Sequence, residues 1–448
     1  MSNGGNEKKT QQDNRDTFSS KLGFILACIG SAVGMGNIWM FPYRTGQFGG
    51  AAFLIPYLLF VIILGYTGLI GEFAFGRMTQ TGPIGSFEKA MKSKGKKGGA
   101  LIGIVPVLGA FGIATGYAVV VGWFIRFLFG SLSGAMLGAA DPGAYFGEIA
   151  GAYGSIGWHF AAIALTAVIL ILGVANGIEK VNKVMMPIFF VLFLVILVRV
   201  ITLPGAMEGV KYMLVPKWEF MSQPKTWIYA LGQAFFSLSL AGSGMVVYGS
   251  YLKRDIDIPS CAKNTAFFDT VAALIAGLVI IPAVFAFGLD PAAGPPLIFI
   301  TLPMVFRQMP AGELFAILFF TSVLFAAITS LMNLLEVPIE ALQNRLNVKR
   351  IPAVLAVCTV AFAIGIFIES GDLLGKWMDF LSIYVIPLGA LLAGIMFFWV
   401  IGVKVARSEV ETGASKPLGK WFEPMTKYVF VMLTFIVVIG GILLGGIG

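Results

Sequence analysis

Apolar residues run through this chain in long uninterrupted stretches broken by short polar connections. A helix that crosses a bilayer needs about 20 mostly apolar residues. Eleven segments meet that length, at roughly 18–44, 50–78, 100–131, 156–174, 184–203, 225–253, 264–288, 311–343, 350–369, 378–403 and 421–447. Helix is the expected state, because every backbone polar group in lipid must be satisfied within the structure. A transmembrane barrel would instead show ten-residue alternating segments. The pattern therefore predicts an all-α polytopic membrane protein. Segment 289–310 is apolar but too rich in proline for a plain span. It reads either as a re-entrant or capping hairpin or as an ordinary interfacial loop.

Composition agrees with the pattern. Of 448 residues, 58% are hydrophobic and 12% charged, and mean hydropathy is +0.88. That charged share is about half the soluble average. So much apolar sequence excludes disorder and a soluble multidomain enzyme. The net charge of +8 does not point to nucleic acid, since the basic residues lie in connections between apolar runs, as the positive-inside rule describes. Segment 79–99 carries Lys89, Lys92, Lys94, Lys96 and Lys97; segment 253–263 carries Lys253, Arg254 and Lys263; Arg345, Lys349 and Arg350 lie near 344–350. These share one side if the N-terminus is cytoplasmic, and eleven spans then leave the C-terminus outside. The polar residues 1–17 read as a cytoplasmic tail rather than a signal peptide.

Cys28, Cys261 and Cys358 show no metal-type spacing, so neither a disulfide nor a metal cluster is expected. The only histidine, His159, stands at the mouth of an apolar run and reads as an interfacial residue.

Two spans carry glycine where a plain span would not. Span 1 contains GSAVGMGN (Gly30–Asn37), and span 6 contains SLSLAGSGM (Ser237–Met245). Each glycine weakens a helix. Close helix packing explains such residues, and so does an interruption. The placement favours interruption: the two stretches lie about 205 residues apart and each opens a set of five spans, as in an inverted repeat with a midplane site. Five is odd, so the second set (225–403) enters from the opposite side to the first (18–203). Segment 421–448 forms the eleventh helix. Unwound backbone frees N–H groups that attract carboxylates and carbonyls that attract cations. One such site can hold an amino acid at both ends, with a hard cation beside it.

GSAVGMGNIWMFPY (Gly30–Tyr43) resembles the first helix of the neurotransmitter:sodium symporter family. GEFAFGR (71–77), GYAVVVGW (116–123), GQAFFSLSLAGSG (232–244) and FAAITSLMN (325–333) resemble further motifs of that family, and the match spans nearly the whole chain. The resemblance implies a LeuT-type fold with unwound first and sixth helices. It implies sodium-coupled import of an amino acid across the plasma membrane, and no enzymatic activity. One sodium ion would be held by oxygens of Gly30, Val33, Ala326, Thr329 and Ser330. A second would be held by Ala32, Asn37, Ser237, Asp269 and the substrate carboxylate. That carboxylate would meet the amides of Met35 and Gly36 and the hydroxyl of Tyr117. The ammonium would meet carbonyls near Ala32, Phe236 and Ser237, together with Ser239. Phe236 would close over the site and stack on Tyr117. Without the resemblance, Tyr117 reads as a packing or lipid-facing aromatic.

Gly242 stands where the family's structural type has a bulky aromatic, Ile113, Val120 and Leu334 keep the wall apolar, and Ser330 would also face the substrate. The resemblance therefore implies hydrophobic L-amino acids: Trp, Tyr, Phe, Leu, Ile and Val. Asp269 supplies a fixed charge where chloride-dependent relatives bind an anion, so no chloride requirement is expected, and proton exchange at Asp269 is conceivable. Glu72 would accept hydrogen bonds from unwound backbone. Glu336 and Glu340 either line a water path or solvate a helix end. Two lock residues depart from the family pattern: Met40 replaces the outer arginine opposite Asp379, and Asn344 replaces the acidic partner of Arg15. In span 5, Gly177 and Pro187 flank a stretch that either unwinds to release sodium or forms a static kink. The rival classes are a channel, an intramembrane enzyme and a proton-driven carrier. Motifs of the GxSxG or HExxH kind are missing for the second.

Overall fold

A computed structural model describes residues 16–240, 243–291 and 297–446. Among these residues the structure is helical, without strands. The helices used below are α1 (Lys21–Ala32), α2 (Gly36–Gln47), α3 (Ala51–Thr79), α4 (Pro83–Lys92), α5 (Gly99–Leu132), α6 (Ile156–Ile171), α7 (Val174–Ile201), α8 (Ala206–Leu214), α9 (Pro224–Ser237), α10 (Gly244–Ser250), α11 (Ile258–Ala286), α12 (Leu297–Gln308), α13 (Gly312–Leu346), α14 (Arg350–Phe367), α15 (Gly371–Glu411) and α16 (Phe422–Leu444).

Eight of the described helices are long and apolar enough to cross a bilayer, and nine if α1 and α2 form one bent span. Helix α6 is shorter, and the 225–253 segment is divided between α9 and α10. Both breaks inferred from glycine are present. The axes of α1 and α2 differ by 49°, with Val33 already extended (φ −71°, ψ 104°). Between α9 and α10, Ser239 and Ser243 take positive φ, 51° and 58°. Such backbone is costly for a residue with a Cβ and is kept where surroundings enforce it. Ala241 and Gly242 lie outside the described residues.

The broken helices occupy the middle of the bundle. Helix α1 packs against α7, α11 and α13; α9 and α10 lie along successive halves of α3; and α5 packs along α13. At position 34 only glycine fits, because a Cβ there would stand 2.9 Å from the Tyr117 hydroxyl and 3.1 Å from Ser330 Oγ.

The described part of segment 289–310 forms a short helix, α12, packed on the bundle rather than a plain loop. In α12, Phe299 is buried and stacks on Phe146 at 4.9 Å, with Phe124 and Phe127 each at 5.0 Å and Trp39 at 5.6 Å. His159 differs from the interfacial reading. It is fully buried, with Nδ1 3.2 Å from Glu369 Oε1 and its ring 4.9 Å from Phe362. The α6–α14 contact encloses it, since Gly365 leaves room for the imidazole.

Candidate functional site

A cavity of about 490 Å³ opens at the break between α1 and α2. This lies within the usual range for small-ligand sites. Of the residues expected to bind substrate, Ala32, Met35, Gly36, Ile113, Tyr117, Phe236, Ser239, Ser330 and Leu334 all line it, as does Val120. Ser237 lies behind the wall, fully buried, and Gly242 is outside the described residues. The break explains the polar lining. Met35 N–H donates to the Tyr117 hydroxyl at 3.2 Å. The carbonyl of Ser31, freed near the end of α1, accepts from Ser239 Oγ at 2.8 Å and from Ser330 Oγ at 3.2 Å. An amide donor at Met35 and a carbonyl acceptor at Ser31 thus lie at one largely apolar cavity, on opposite sides of one break. No ring stacking joins Phe236 to Tyr117 among the described residues.

The expected cation ligands fall into two groups. In the first, Gly30 of α1 abuts Thr329 of α13: a Cβ on Gly30 would lie 3.0 Å from Thr329 Cβ. Thr329 Oγ1 donates to the Ala326 carbonyl at 3.0 Å, Ser330 Oγ reaches the Ser31 carbonyl of α1, and Val33 caps the C-terminal end of α1. In the second, Asn37 Nδ2 donates to Asp269 Oδ1 at 2.7 Å and to Ser237 Oγ at 3.1 Å. Ser237 Oγ donates to Asp269 Oδ2 at 2.7 Å. Tyr57 Oη lies 3.3 Å from Ser237 Oγ, and Gln233 Nε2 donates to the Gly36 carbonyl at 2.8 Å. Ala32 lies at the end of α1, on the cavity wall. Both groups are built from hard oxygen donors, the kind that suits an alkali or alkaline-earth cation rather than a soft metal.

The charges outside these groups have partners. Glu72 accepts from the backbone N–H groups of Met245 and Val246 at the start of α10. It therefore caps the second break. Glu336 is bound by Arg350, Nη2 to Oε2 at 2.8 Å and Nη1 to Oε1 at 3.0 Å, and by the Tyr251 hydroxyl at 2.7 Å. Asp16 lies 3.3 Å from Arg350. Glu340 Oε1 accepts from Gly82 N at 2.7 Å and Asn344 Nδ2 at 3.0 Å. Both acids thus link distant segments, a role that neither sequence reading described. Together with Phe18, packed on Tyr248 at 5.5 Å, they close the molecule at the N-terminal end of α1. Arg15 is outside the described residues.

At the other end the sequence reading stopped at Met40. The structure brings Arg44, one turn further along α2, within electrostatic reach of Asp379, and sets its guanidinium 4.3 Å from the Tyr229 ring. The i, i+4 spacing from 40 to 44 was the available signal. Leu374, Gly375 and Met378 of α15 also line the cavity. Nothing in their pattern distinguished them from ordinary packing residues.

A cavity between interrupted helices, flanked by two oxygen-rich groups, is the arrangement of a secondary transporter. The profile described as Sodium:neurotransmitter symporter family matches residues 15–139 and 148–444. The sodium-dependent transporter YhdH of Bacillus subtilis, itself uncharacterized, is 38% identical over 408 residues, covering 88% of this chain and 89% of that protein. The sodium-dependent neutral amino acid transporter B(0)AT2 of Bos taurus is 28% identical over 305 residues, covering 61% of this chain and 40% of that protein. The crystal structure of MhsT in complex with L-phenylalanine superposes with a TM-score of 0.87 at 33% identity, covering 96% of this chain and all of that one. The chain belongs to the sodium:neurotransmitter symporter family. It is a sodium-dependent membrane transporter, not an enzyme.

Proposed function

We propose that the protein is a sodium-coupled symporter that imports hydrophobic L-amino acids, aromatic and aliphatic, across the plasma membrane by alternating access. The observation that carries this reading is the cavity at the α1–α2 break, where Met35 N–H, Tyr117 Oη and the Ser31 carbonyl face apolar walls of Ile113, Val120 and Leu334. The substrate carboxylate meets the amides of Met35 and Gly36 and the Tyr117 hydroxyl. The ammonium meets the carbonyls near Ala32, Phe236 and Ser237, and Ser239. One sodium ion binds Gly30, Val33, Ala326, Thr329 and Ser330; the other binds Ala32, Asn37, Ser237, Asp269 and the substrate carboxylate. That shared carboxylate makes ion and substrate raise each other's affinity by the same factor. Asp269 supplies the fixed charge, and no chloride is required.

The architecture we assign is eleven spans, with a cytoplasmic tail at 1–17, repeats at 18–203 and 225–403 related by inversion, a last helix at 421–448, the N-terminus inside and the C-terminus outside. The closed end at Phe18, Tyr251 and Glu336 is then cytoplasmic, and the cavity faces outward. The π-helical start of α7, Val174–Glu179, and Pro187 within it support unwinding of that helix as the route of inward release; Pro187→Ala then slows inward opening.

The driving force suffices. Each sodium ion moving through 100 mV and down a tenfold gradient releases about 3.7 kcal/mol. Two release about 7 kcal/mol, enough for roughly a 10⁵-fold gradient of a zwitterion. The decisive experiment is uptake of radiolabelled tryptophan and leucine into proteoliposomes, with sodium replaced by choline at fixed pH gradient. Saturable uptake that vanishes in choline supports the proposal. Uptake that persists in choline and follows the proton gradient, or unsaturable voltage-driven flux, overturns it.

A further inference from the structure

Asn182 lies in α7 midway between Gly177 and Pro187 and is fully buried. Its Nδ2 donates to the Ile178 carbonyl at 2.8 Å. Its Oδ1 accepts no hydrogen bond. That oxygen points at α1: a Cβ built on Gly30 would stand 1.9 Å from it, and 3.0 Å from Thr329 Cβ. A buried amide oxygen without a partner is rare and costs stability unless something occupies it. The groups around it are the Gly30 backbone and Thr329, both in the first cation group. The close approach also gives Gly30 its reason, since any side chain there would displace the amide.

We propose that Asn182 Oδ1 is a further oxygen ligand of the sodium ion assigned to Gly30, Val33, Ala326, Thr329 and Ser330, supplied by α7. This rests on that assignment. A neutral amide oxygen is a hard donor suited to sodium and adds no charge to a site already rich in carbonyls and hydroxyls. An ion bound there joins α1 and α13 to α7. Its departure releases the segment of α7 weakened by Gly177 and by Pro187, which offers no N–H to the Lys183 carbonyl. The ion thereby holds closed the helix past which it leaves.

The test uses the full chain in lipid nanodiscs. Sodium affinity is read from ²²Na⁺ binding at saturating substrate. Amide exchange over residues 177–187 is compared in sodium and in potassium. In the wild type, sodium protects these amides. Asn182→Leu keeps the branched shape and removes the oxygen; it raises the sodium half-saturation concentration about tenfold or more, since losing even an outer partner of a metal ligand costs that much, and abolishes the protection. Asn182→Asp keeps an oxygen at the position and retains both. Unchanged sodium affinity in Asn182→Leu, or equal loss in the two variants, marks Asn182 as a packing residue and overturns the proposal. If Asn182→Leu does not fold, wild-type exchange over 177–187 that is indifferent to sodium overturns it. Thr329→Ala tests the assignment beneath it: undiminished sodium binding there removes the sodium site itself, whatever the Asn182 variants show.

Discussion

Asn37 and Asp269 are joined by a 2.7 Å hydrogen bond, Nδ2 to Oδ1, that ties the start of α2 to the middle of α11. The other carboxylate oxygen of Asp269 accepts from Ser237 at the end of α9. One buried acid therefore touches both interrupted helices. A carboxylate so placed has no permanent cation facing it among the described residues, and in a membrane interior such a charge marks function.

Asp269→Asn is close to isosteric and removes only the charge. Close charge pairs are worth about 1.5 kcal/mol or more, so the variant is expected to need at least about tenfold more sodium for half-maximal uptake. Wild-type uptake is expected to be the same in chloride and in gluconate. In the variant, chloride is expected to restore part of the loss, because the Tyr57 and Ser237 hydroxyls remain. Wild-type uptake that collapses in gluconate would count against Asp269 as the resident anion.

Arg350 and Glu336 form the second buried charge relationship, with the Glu336 side chain wholly enclosed. Removing one partner of such a pair costs about 3–5 kcal/mol, because the other is left uncompensated. Arg350→Ala should therefore weaken the closed end formed by Phe18 and Tyr251, and Arg350→Ala with Glu336→Gln should recover much of the loss. Thermal unfolding gives the stability. Thiol labelling of a cysteine placed at Ser19, in a background without native cysteines, gives the opening. Labelling as slow in Arg350→Ala as in its parent would show that the pair does not hold this end shut.

Spans and breaks were legible in the sequence because lipid imposes a rule on each. A span must be apolar over a fixed length, and glycine clustered inside one needs a reason. The cavity residues of α1, α5 and α13 were legible through family motifs. What the sequence hid depends on pairings between distant segments. Arg350 finds Glu336 only once α14 folds back on α13. The burial of His159 depends on Gly365 and Glu369, more than two hundred residues away. Phe299 becomes the hub of an aromatic cluster only when α12 lies across α5. None of these follows from periodicity, which reports the face of one helix and not its neighbour.

Asp257 provides the pH-dependent prediction. It caps α11 by accepting from Ser260 N at 3.0 Å, and it tethers the 415 segment by accepting from Ser415 N at 3.1 Å. Burial pushes this carboxyl up, but the hydrogen bonds from Ser260 and Ser415 outweigh it and hold the group below its ordinary value. A carboxylate whose pKa is depressed by folding stabilises the fold above its unfolded value, about 3.9, and that contribution disappears as pH falls through the folded value. Asp257→Asn should therefore lower the unfolding temperature at pH 7 and lose its difference from wild type as pH falls below about 4. A difference that stays constant down to pH 3 would place the effect elsewhere.

Ile113 sets the room available for the substrate side chain. It lines the cavity and packs with Leu381 and Ile386, with Leu334 beside them. Ile113→Trp fills that side of the pocket, and a tryptophan substrate must then be accommodated by displacing neighbours, at about 1–3 kcal/mol. That range corresponds to roughly five- to 150-fold weaker tryptophan binding. Valine and alanine, whose side chains end short of this wall, should bind nearly as in the wild type. The sodium dependence of valine uptake should be preserved, because Ile113 belongs to neither cation group. Competition against radiolabelled valine, run with tryptophan, leucine and alanine, reads the selectivity directly. Equal weakening of all substrates would mean that the site had collapsed. Unchanged tryptophan affinity would mean that the side chain lies along another wall, away from Ile113 and Leu334.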